Sequence, residues 1–300
     1  MLVPDDYGVS ALSSVDGVRA VRYQPGEPLP PEAAQARVFV PKFLQGTNPR
    51  EVYAQLPNLE LVQLLSAGAE RFVGQIPDGV LLSTCRGAHG GSTAEWVIGA
   101  LLAIYRDFPV FEAARQERRW DYHVTETLQD QRVLVVGAGD LGEQCRRRLE
   151  PFDVSVTLVG RTSRDGVHGL AELPELLGGH DAVVIVVPLT DETTRMVDAE
   201  FLAAMPDGAI LVNAARGPVV DTDALLAELT SGRLRAALDV TEPEPLPAEH
   251  PLWTAPGLFL TPHVAGSCTG AERRSYAVVA AEVARFAAGE QPANLVKGDY

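Results

Sequence analysis

Between residues 133 and 260 the chain alternates short runs of branched apolar residues with segments of helical periodicity. That alternation limits its fold more than any other feature. Strand-like segments fall at 133–136, 154–159, 182–187, 209–212, 236–239 and 258–260, and of these 133–136, 182–187, 209–212 and 258–260 are apolar at every position. Helical stretches separate them: Leu141, Cys145 and Leu149 stand at i, i+4 and i+8, and others follow at 170–177, 199–204 and 221–229. A strand that is apolar at every position, rather than at every second one, is buried on both faces. With helices between such strands, the expected class is α/β with a doubly wound parallel sheet.

The first ninety residues repeat the pattern more weakly, with apolar runs at 38–40, 59–65 and 80–82. Two long helical stretches flank the central region. One opens with Ser92-Thr93 as a cap and Glu95 in its first turn, and runs through 96–105; the other covers about 271–288 and stops at Gly289. Read as hinge helices, they return the end of the chain to the first domain. The expected division is a discontinuous domain of residues 1–91 and 268–300, with a dinucleotide-binding domain, residues 92–267, inserted in it.

Forty Asp and Glu against 25 Lys and Arg leave a net charge of -15. Such a surface repels phosphate backbones and anionic lipid heads, so neither nucleic acid nor a membrane is expected as a partner. An anionic substrate needs a local positive site. No run of about 18 apolar residues is present, and the start MLVPDDYGVS lacks the basic and apolar regions of a signal peptide. Cys85, Cys145 and Cys268 have no metal-ligand spacing. Reduced thiols in a cytoplasmic protein, and no metal, are the expectation.

Gly137-Ala-Gly139-Asp140-Leu141-Gly142 directly follows one expected strand and opens a helix. In that setting the glycines permit a tight turn, close approach of backbone to a pyrophosphate, and close strand–helix packing. The helix N-terminus offers N–H groups and a positive dipole end to phosphate. The next strand end carries the residue that meets the ribose. An acidic side chain there accepts from the 2′-hydroxyl of NAD. Here the sequence is Val159-Gly160-Arg161-Thr162-Ser163-Arg164, with no carboxylate before Asp165. Two guanidinium groups and two hydroxyls suit a 2′-phosphate, so NADP(H) is the expected cofactor and NAD(H) the second choice.

Three later strand ends carry polar groups in turn: Arg216 in Asn213-Ala-Ala-Arg-Gly-Pro, Asp239, Glu242 and Glu244 in 237–245, and His263 in Thr261-Pro-His-Val-Ala-Gly266. Ligands of open α/β sheets dock at the carboxyl ends of strands, where an arginine, a carboxylate and a histidine can converge. His89, in a glycine-rich loop, either borders a substrate or is a turn histidine. Trp96 and Trp253 read as packing residues, as does Cys145.

With these residues in view, the chain resembles the D-isomer-specific 2-hydroxyacid dehydrogenase family. The likeness runs from about Leu59 to Asn294 and is carried by GAGDLG, VVPLTDET (186–193), VNAARGPVVDTDAL (212–225), ALDVTEPEPLP (237–247), HPLW (250–253) and TPHVAG (261–266). The resemblance implies two doubly wound parallel-sheet domains, a Rossmann cofactor domain inserted in a flavodoxin-like substrate domain. It implies a hydride transfer between NAD(P)H and a small 2-keto or 2-hydroxy acid, such as glyoxylate or hydroxypyruvate. The catalytic Arg, Glu and His fall on Arg216, Glu244 and His263. Glu244 fits better than Glu242 because the family counts five residues on from Asp239. Cofactor contacts are implied at Gly137, Gly139, Asp140, Leu141, Gly142, Arg161, Thr162, Arg164, Pro188, Thr193, Ala214, Asp239, His263 and Gly266.

The substrate-carboxylate loop resembles Ser66-Ala67-Gly68-Ala69, so Ala67 and Gly68 join Arg216 in binding substrate. A homodimer through the cofactor domain and a site closed between the two domains are further implications. Two departures stand out: the family's aspartate after the second strand is Gly160 here, as in its NADP-using glyoxylate/hydroxypyruvate reductases, and the N-terminal portion is short. A second reading, a nicotinamide-binding interaction protein like the family's co-repressor relatives, is compatible with all three catalytic residues.

Overall fold

The computed structural model describes residues 1–42 and 49–297. It divides into two units, one of Met1–His89 with Thr269–Tyr300, the other Gly90–Cys268.

The first unit begins with β1 (Leu2–Val3), α1 (Asp6–Leu12), β2 (Val21–Arg22), β3 (Val38–Phe39), α2 (Pro49–Tyr53), β4 (Leu61–Gln63) and β5 (Leu81–Ser83). Its five strands are all parallel, in the order β2-β1-β3-β4-β5. The 59–65 run is a strand only over three residues, and β1 and β2, two residues each, have no counterpart among the expected runs.

The second unit opens with α3 (Gly90–Tyr105) and α4 (Phe108–Gln116), then β6 (Arg132–Val136), α5 (Asp140–Leu149), β7 (Ser155–Gly160), β8 (His168–Gly169) and α6 (Leu173–Leu177). It continues through β9 (Ala182–Ile185), α7 (Ala199–Ala204), β10 (Ile210–Asn213), α8 (Thr222–Ser231), β11 (Arg235–Leu238) and β12 (Leu258–Leu260). Its seven strands are parallel in the order β12-β11-β10-β9-β6-β7-β8. The last helix, α9 (Ala271–Ala287), belongs to the first unit, where Tyr276, Val279 and Val283 pack on Val3, Val38 and Leu61.

The unbroken apolar runs are explained by the two faces they serve. Along β6, Leu134 and Val136 join Phe201, Leu202, Leu225 and Leu229 from α7 and α8. Val133 and Val135 turn to the opposite face and meet Val97 and Leu101 of α3 with Cys145 and Leu149 of α5. These side chains are fully buried or nearly so. Burying a Val, Leu or Phe side chain of this kind contributes about 1.5–3 kcal/mol relative to an exposed position, so both faces of the sheet hold the helices on it.

Two expectations are corrected. Ser92 and Thr93 do not cap α3; they lie inside it, because the helix starts at Gly90. The sheet of the second unit also has a seventh strand, β8, paired with β7 through Val159 and His168.

Candidate active site

The glycine loop leaves β6 with its backbone tied to the next strand, the Gly137 N–H donating to Val159 O at 2.8 Å. Gly137 has φ +121°, and a Cβ there would lie 2.7 Å from Val186 O. A Cβ on Gly142 would lie 1.8 Å from Gly137 O. Both positions therefore require glycine: one for a left-handed turn under β9, the other for α5 to sit directly on the loop. Gly139 is different, since a Cβ there would meet nothing within 4 Å and the space above the loop is open. No side-chain hydrogen bond caps α5, so its first-turn N–H groups, Asp140 and Leu141 among them, point toward that space as an anion site would require.

At the end of β7, Gly160 is buried, and a Cβ on it would come within 3.0 Å of Arg164 Nη1. The missing side chain makes room for Arg164, whose Nη2 donates to Ala138 O at 2.7 Å and lays the guanidinium along the glycine loop. Arg164 and Val167 exchange two backbone hydrogen bonds of 2.9 Å, a tight turn that fixes the arginine's base. Arg161 and Thr162 are exposed, Arg161 in a 3.6 Å ion pair with Glu192. Pro188 and Thr193 share one turn after β9: Thr193 Oγ1 donates to Pro188 O at 2.6 Å and accepts from the Thr190 N–H at 2.8 Å. Ala214 directly follows β10 and donates its N–H to Ile185 O.

Three adjacent parallel strands, β10, β11 and β12, carry the expected acid/base set at their carboxyl ends. Asn213 Oδ1 accepts from the Ala215 N–H and its Nδ2 donates to Arg216 O, each at 3.0 Å, which builds the turn presenting Arg216. The next residue, Gly217, lies so close to the loop after β11 that a Cβ would fall 1.9 Å from Thr241 O. Thr222 Oγ1 reaches Glu242 O at 3.2 Å across the same junction. The Arg216 turn and the Glu244 loop are thus packed backbone to backbone. Glu244 Oε1 lies 2.6 Å from His263 Nδ1, both side chains about two-fifths exposed. A carboxylate in that position accepts from the ring and leaves Nε2 as the nitrogen for exchange with a ligand.

Asp239, at the end of β11, is buried at 3% exposure and faces the loop that carries His263. Its Oδ1 accepts from Thr261 Oγ1 at 2.6 Å and the Val264 N–H at 2.8 Å, and its Oδ2 from the Ala265 N–H at 2.9 Å. Gly266 closes that loop, accepting from the Cys268 N–H. Ala67 and Gly68 lie in the other unit, after β4, in a turn where Ser66 Oγ donates to Gly68 O at 2.7 Å.

His89 Nε2 lies 2.9 Å from Leu65 O, within the first unit. Cys145 is fully buried, and burial pushes its thiol up to about 12, which makes it inert packing. The packing expectation holds for Trp96, which approaches Phe259, and fails for Trp253, which is 53% exposed and held by its Nε1–H to Pro247 O. Asn213, Gly217 and Thr261 were not singled out by sequence. Among the described residues no group of His, Cys, Asp and Glu could hold a metal ion, and no helix is long and apolar enough to cross a membrane.

The sequence profile of "D-isomer specific 2-hydroxyacid dehydrogenase, NAD binding domain" matches residues 98–265. The glyoxylate reductase of Thermofilum pendens is 34% identical over 263 residues, 82% of this chain and 77% of that protein. A D-isomer specific 2-hydroxyacid dehydrogenase of Xanthobacter autotrophicus Py2, solved with NADPH and MES, superposes with a TM-score of 0.86 at 34% identity, covering 98% of this chain and 95% of that one. The NADPH-dependent glyoxylate/hydroxypyruvate reductase of Sinorhizobium meliloti, solved with NADP and sulfate, gives 0.81 at 27% identity, covering 99% and 96%.

Proposed function

This chain belongs to the D-isomer specific 2-hydroxyacid dehydrogenase family of NAD(P)-dependent enzymes, and from that premise we propose that it reduces a small 2-keto acid, glyoxylate or hydroxypyruvate first, with NADPH. The observation that carries the reading is the 2.6 Å contact between His263 Nδ1 and Glu244 Oε1 beside the Arg216 turn. When bound, the nicotinamide cofactor supplies the hydride in reduction and takes it back in oxidation. Gly137, Gly139 and Gly142 with the α5 N-terminus would hold its pyrophosphate, and Arg161, Thr162 and Arg164 a 2′-phosphate. The relatives solved with NADPH and NADP support that assignment. Pro188, Thr193, Ala214 and Gly266 border the same strand ends.

Negative charge develops on the carbonyl oxygen of a keto acid as it is reduced. His263, as imidazolium, donates a proton from Nε2 to that oxygen and in reverse takes one from the alcohol. Glu244 fixes the ring by accepting from Nδ1–H and offsets the charge of the imidazolium. Arg216 binds the substrate carboxylate and polarises the carbonyl, a local positive charge on a chain of net -15. Ala67 and Gly68 belong to the proposed carboxylate loop. The same reading includes a cytoplasmic protein and a homodimer through the Gly90–Cys268 unit.

The test is the loss of absorbance at 340 nm with NADPH or NADH against glyoxylate, hydroxypyruvate, pyruvate and phenylpyruvate. Turnover that prefers NADPH, and that falls about 10²–10⁴-fold in His263→Ala, is the expected result. A clear preference for NADH would remove the 2′-phosphate assignment and leave the acid/base assignment standing. Tight NADPH binding with no turnover of any keto acid would replace the reductase by a nicotinamide-sensing interaction protein.

A further inference from the structure

We propose that Thr261 is a positioning residue, setting the backbone of His263 through the buried carboxylate of Asp239. The inference rests on the reading of His263 as the proton donor. His263 has φ 55°, in the left-handed region that a residue with a Cβ occupies only when its surroundings impose it. Here the backbone is held mainly by one aspartate. The His263 N–H donates to Asp239 O at 2.7 Å, as well as to Thr261 O at 3.1 Å. The two N–H groups that follow, on Val264 and Ala265, divide between the two carboxylate oxygens. Thr261 Oγ1 donates the shortest of these bonds, 2.6 Å to Oδ1.

The family resemblance implies a cofactor contact at Asp239. The structure shows three hydrogen bonds from the histidine's own loop onto its side chain, where an ionised carboxylate has about four acceptor positions. At most one remains for a cofactor. Without the threonine hydroxyl, Oδ1 keeps a single protein donor in a buried place, and the carboxylate must turn to find another. The Val264 and Ala265 N–H groups turn with it, and His263 lies between them and Thr261. A displacement of a few tenths of an ångström at a proton donor lowers turnover without touching either substrate.

Thr261→Val keeps the shape and removes the donor; Thr261→Ser restores the donor. In the holoenzyme, Thr261→Val is expected to lower kcat about tenfold, with the NADPH Kd and the keto-acid KM within twofold of wild type and a single cooperative melting transition, lowered in temperature as the loss of one buried hydrogen bond requires. Thr261→Ser should recover kcat to within twofold. The downfield proton of the His263 Nδ1–H bond to Glu244, seen by NMR, should move or broaden in the valine variant and return in the serine variant. Unchanged kcat, or a rise in the NADPH Kd alone, overturns the proposal. If the wild type turns over no keto acid, the reductase reading fails separately. The NMR signal then still decides: a shift restored by serine supports the positioning role, and identical spectra overturn it.

Discussion

Gly160 stands at the end of β7 where the family pattern has an aspartate, and its neighbours show why the difference has chemical consequences. Without a side chain there, Arg164 closes over the glycine loop and donates to Ala138 O. An aspartate would present a carboxylate to the ribose, repel a 2′-phosphate and draw Arg164 onto itself. Gly160→Asp is therefore expected to lower the ratio of kcat/KM for NADPH over NADH at least tenfold, a change of about 1.4 kcal/mol. A Cβ there meets the end of a flexible arginine at 3.0 Å and also the Val167 and Ala138 side chains at 3.2 and 3.4 Å, which must yield by a few tenths of an ångström, so a thermal melt of the variant accompanies the rates. An unchanged ratio, measured by initial rates with both cofactors, would take the 2′-phosphate away from this strand end. The residues of this site were legible because their chemistry is local: glycines between a strand and a helix, and charged groups just after strands. Gly217 and Thr261 were not, because their roles depend on contacts with Thr241 and Asp239, residues some twenty positions away, and no local pattern records such a meeting.

Elements follow the same division between local and distant causes. The central strands were legible as unbroken apolar runs, whereas β1, β2 and β8, two residues each, are too short to show a period. Gly90-Gly91 reads as loop, yet it forms the first turn of α3. A Cβ on Gly90 would lie 2.1 Å from Asp140 Oδ2 and one on Gly91 2.9 Å from Arg148 Nη2. Close packing of α3 on α5 thus overrides the helix propensity of glycine, worth about 1 kcal/mol per residue. Asp181 ties β6 to β9 at their starts: it accepts from the Arg132 N–H at 2.8 Å and from its guanidinium at 2.9 and 3.2 Å. The Arg132 side-chain hydrogen bond holds the Asp181 carboxyl below its usual 3.8, in spite of partial burial. A carboxylate held lower in the folded state stabilises above its ordinary value, and the contribution is lost as pH falls through the folded value. Arg132 is half exposed, so the pair is worth only about 1 kcal/mol. Asp181→Asn should lower the urea-unfolding free energy by that amount at pH 7, with the difference from wild type shrinking below pH 3.8. A difference that stays constant down to pH 2.5 would show that the charge does not contribute.

Over the whole molecule, the apolar groups left in water point to a second copy of the chain. After α4 the backbone runs extended, without regular structure, through Trp120, Tyr122 and Val124, which are 95%, 85% and 89% exposed. They alternate with residues that turn inward. His123 stacks on Phe111 at 4.6 Å between centroids and lies 3.2 Å from Asp107, and Arg106 Nε donates to Thr125 Oγ1 at 3.1 Å. One side of this segment is anchored, and the other presents three large apolar residues in a row with its backbone unpaired. Aromatic residues of this kind are enriched at the centres of interfaces, and a twofold contact would let the segment cover its own copy. Light scattering behind a sizing column should give twice the 32.1 kDa chain mass, and a double variant, Trp120→Ser with Tyr122→Ser, should give the single mass. The glycine loop, Arg161, Thr162 and Arg164 all belong to one Gly90–Cys268 unit, so the separated variant should still bind NADPH, and this distinguishes loss of the dimer from loss of the fold. A wild type that runs at 32.1 kDa at micromolar concentration would remove the dimer, and a variant that stays at twice that mass would move its interface elsewhere.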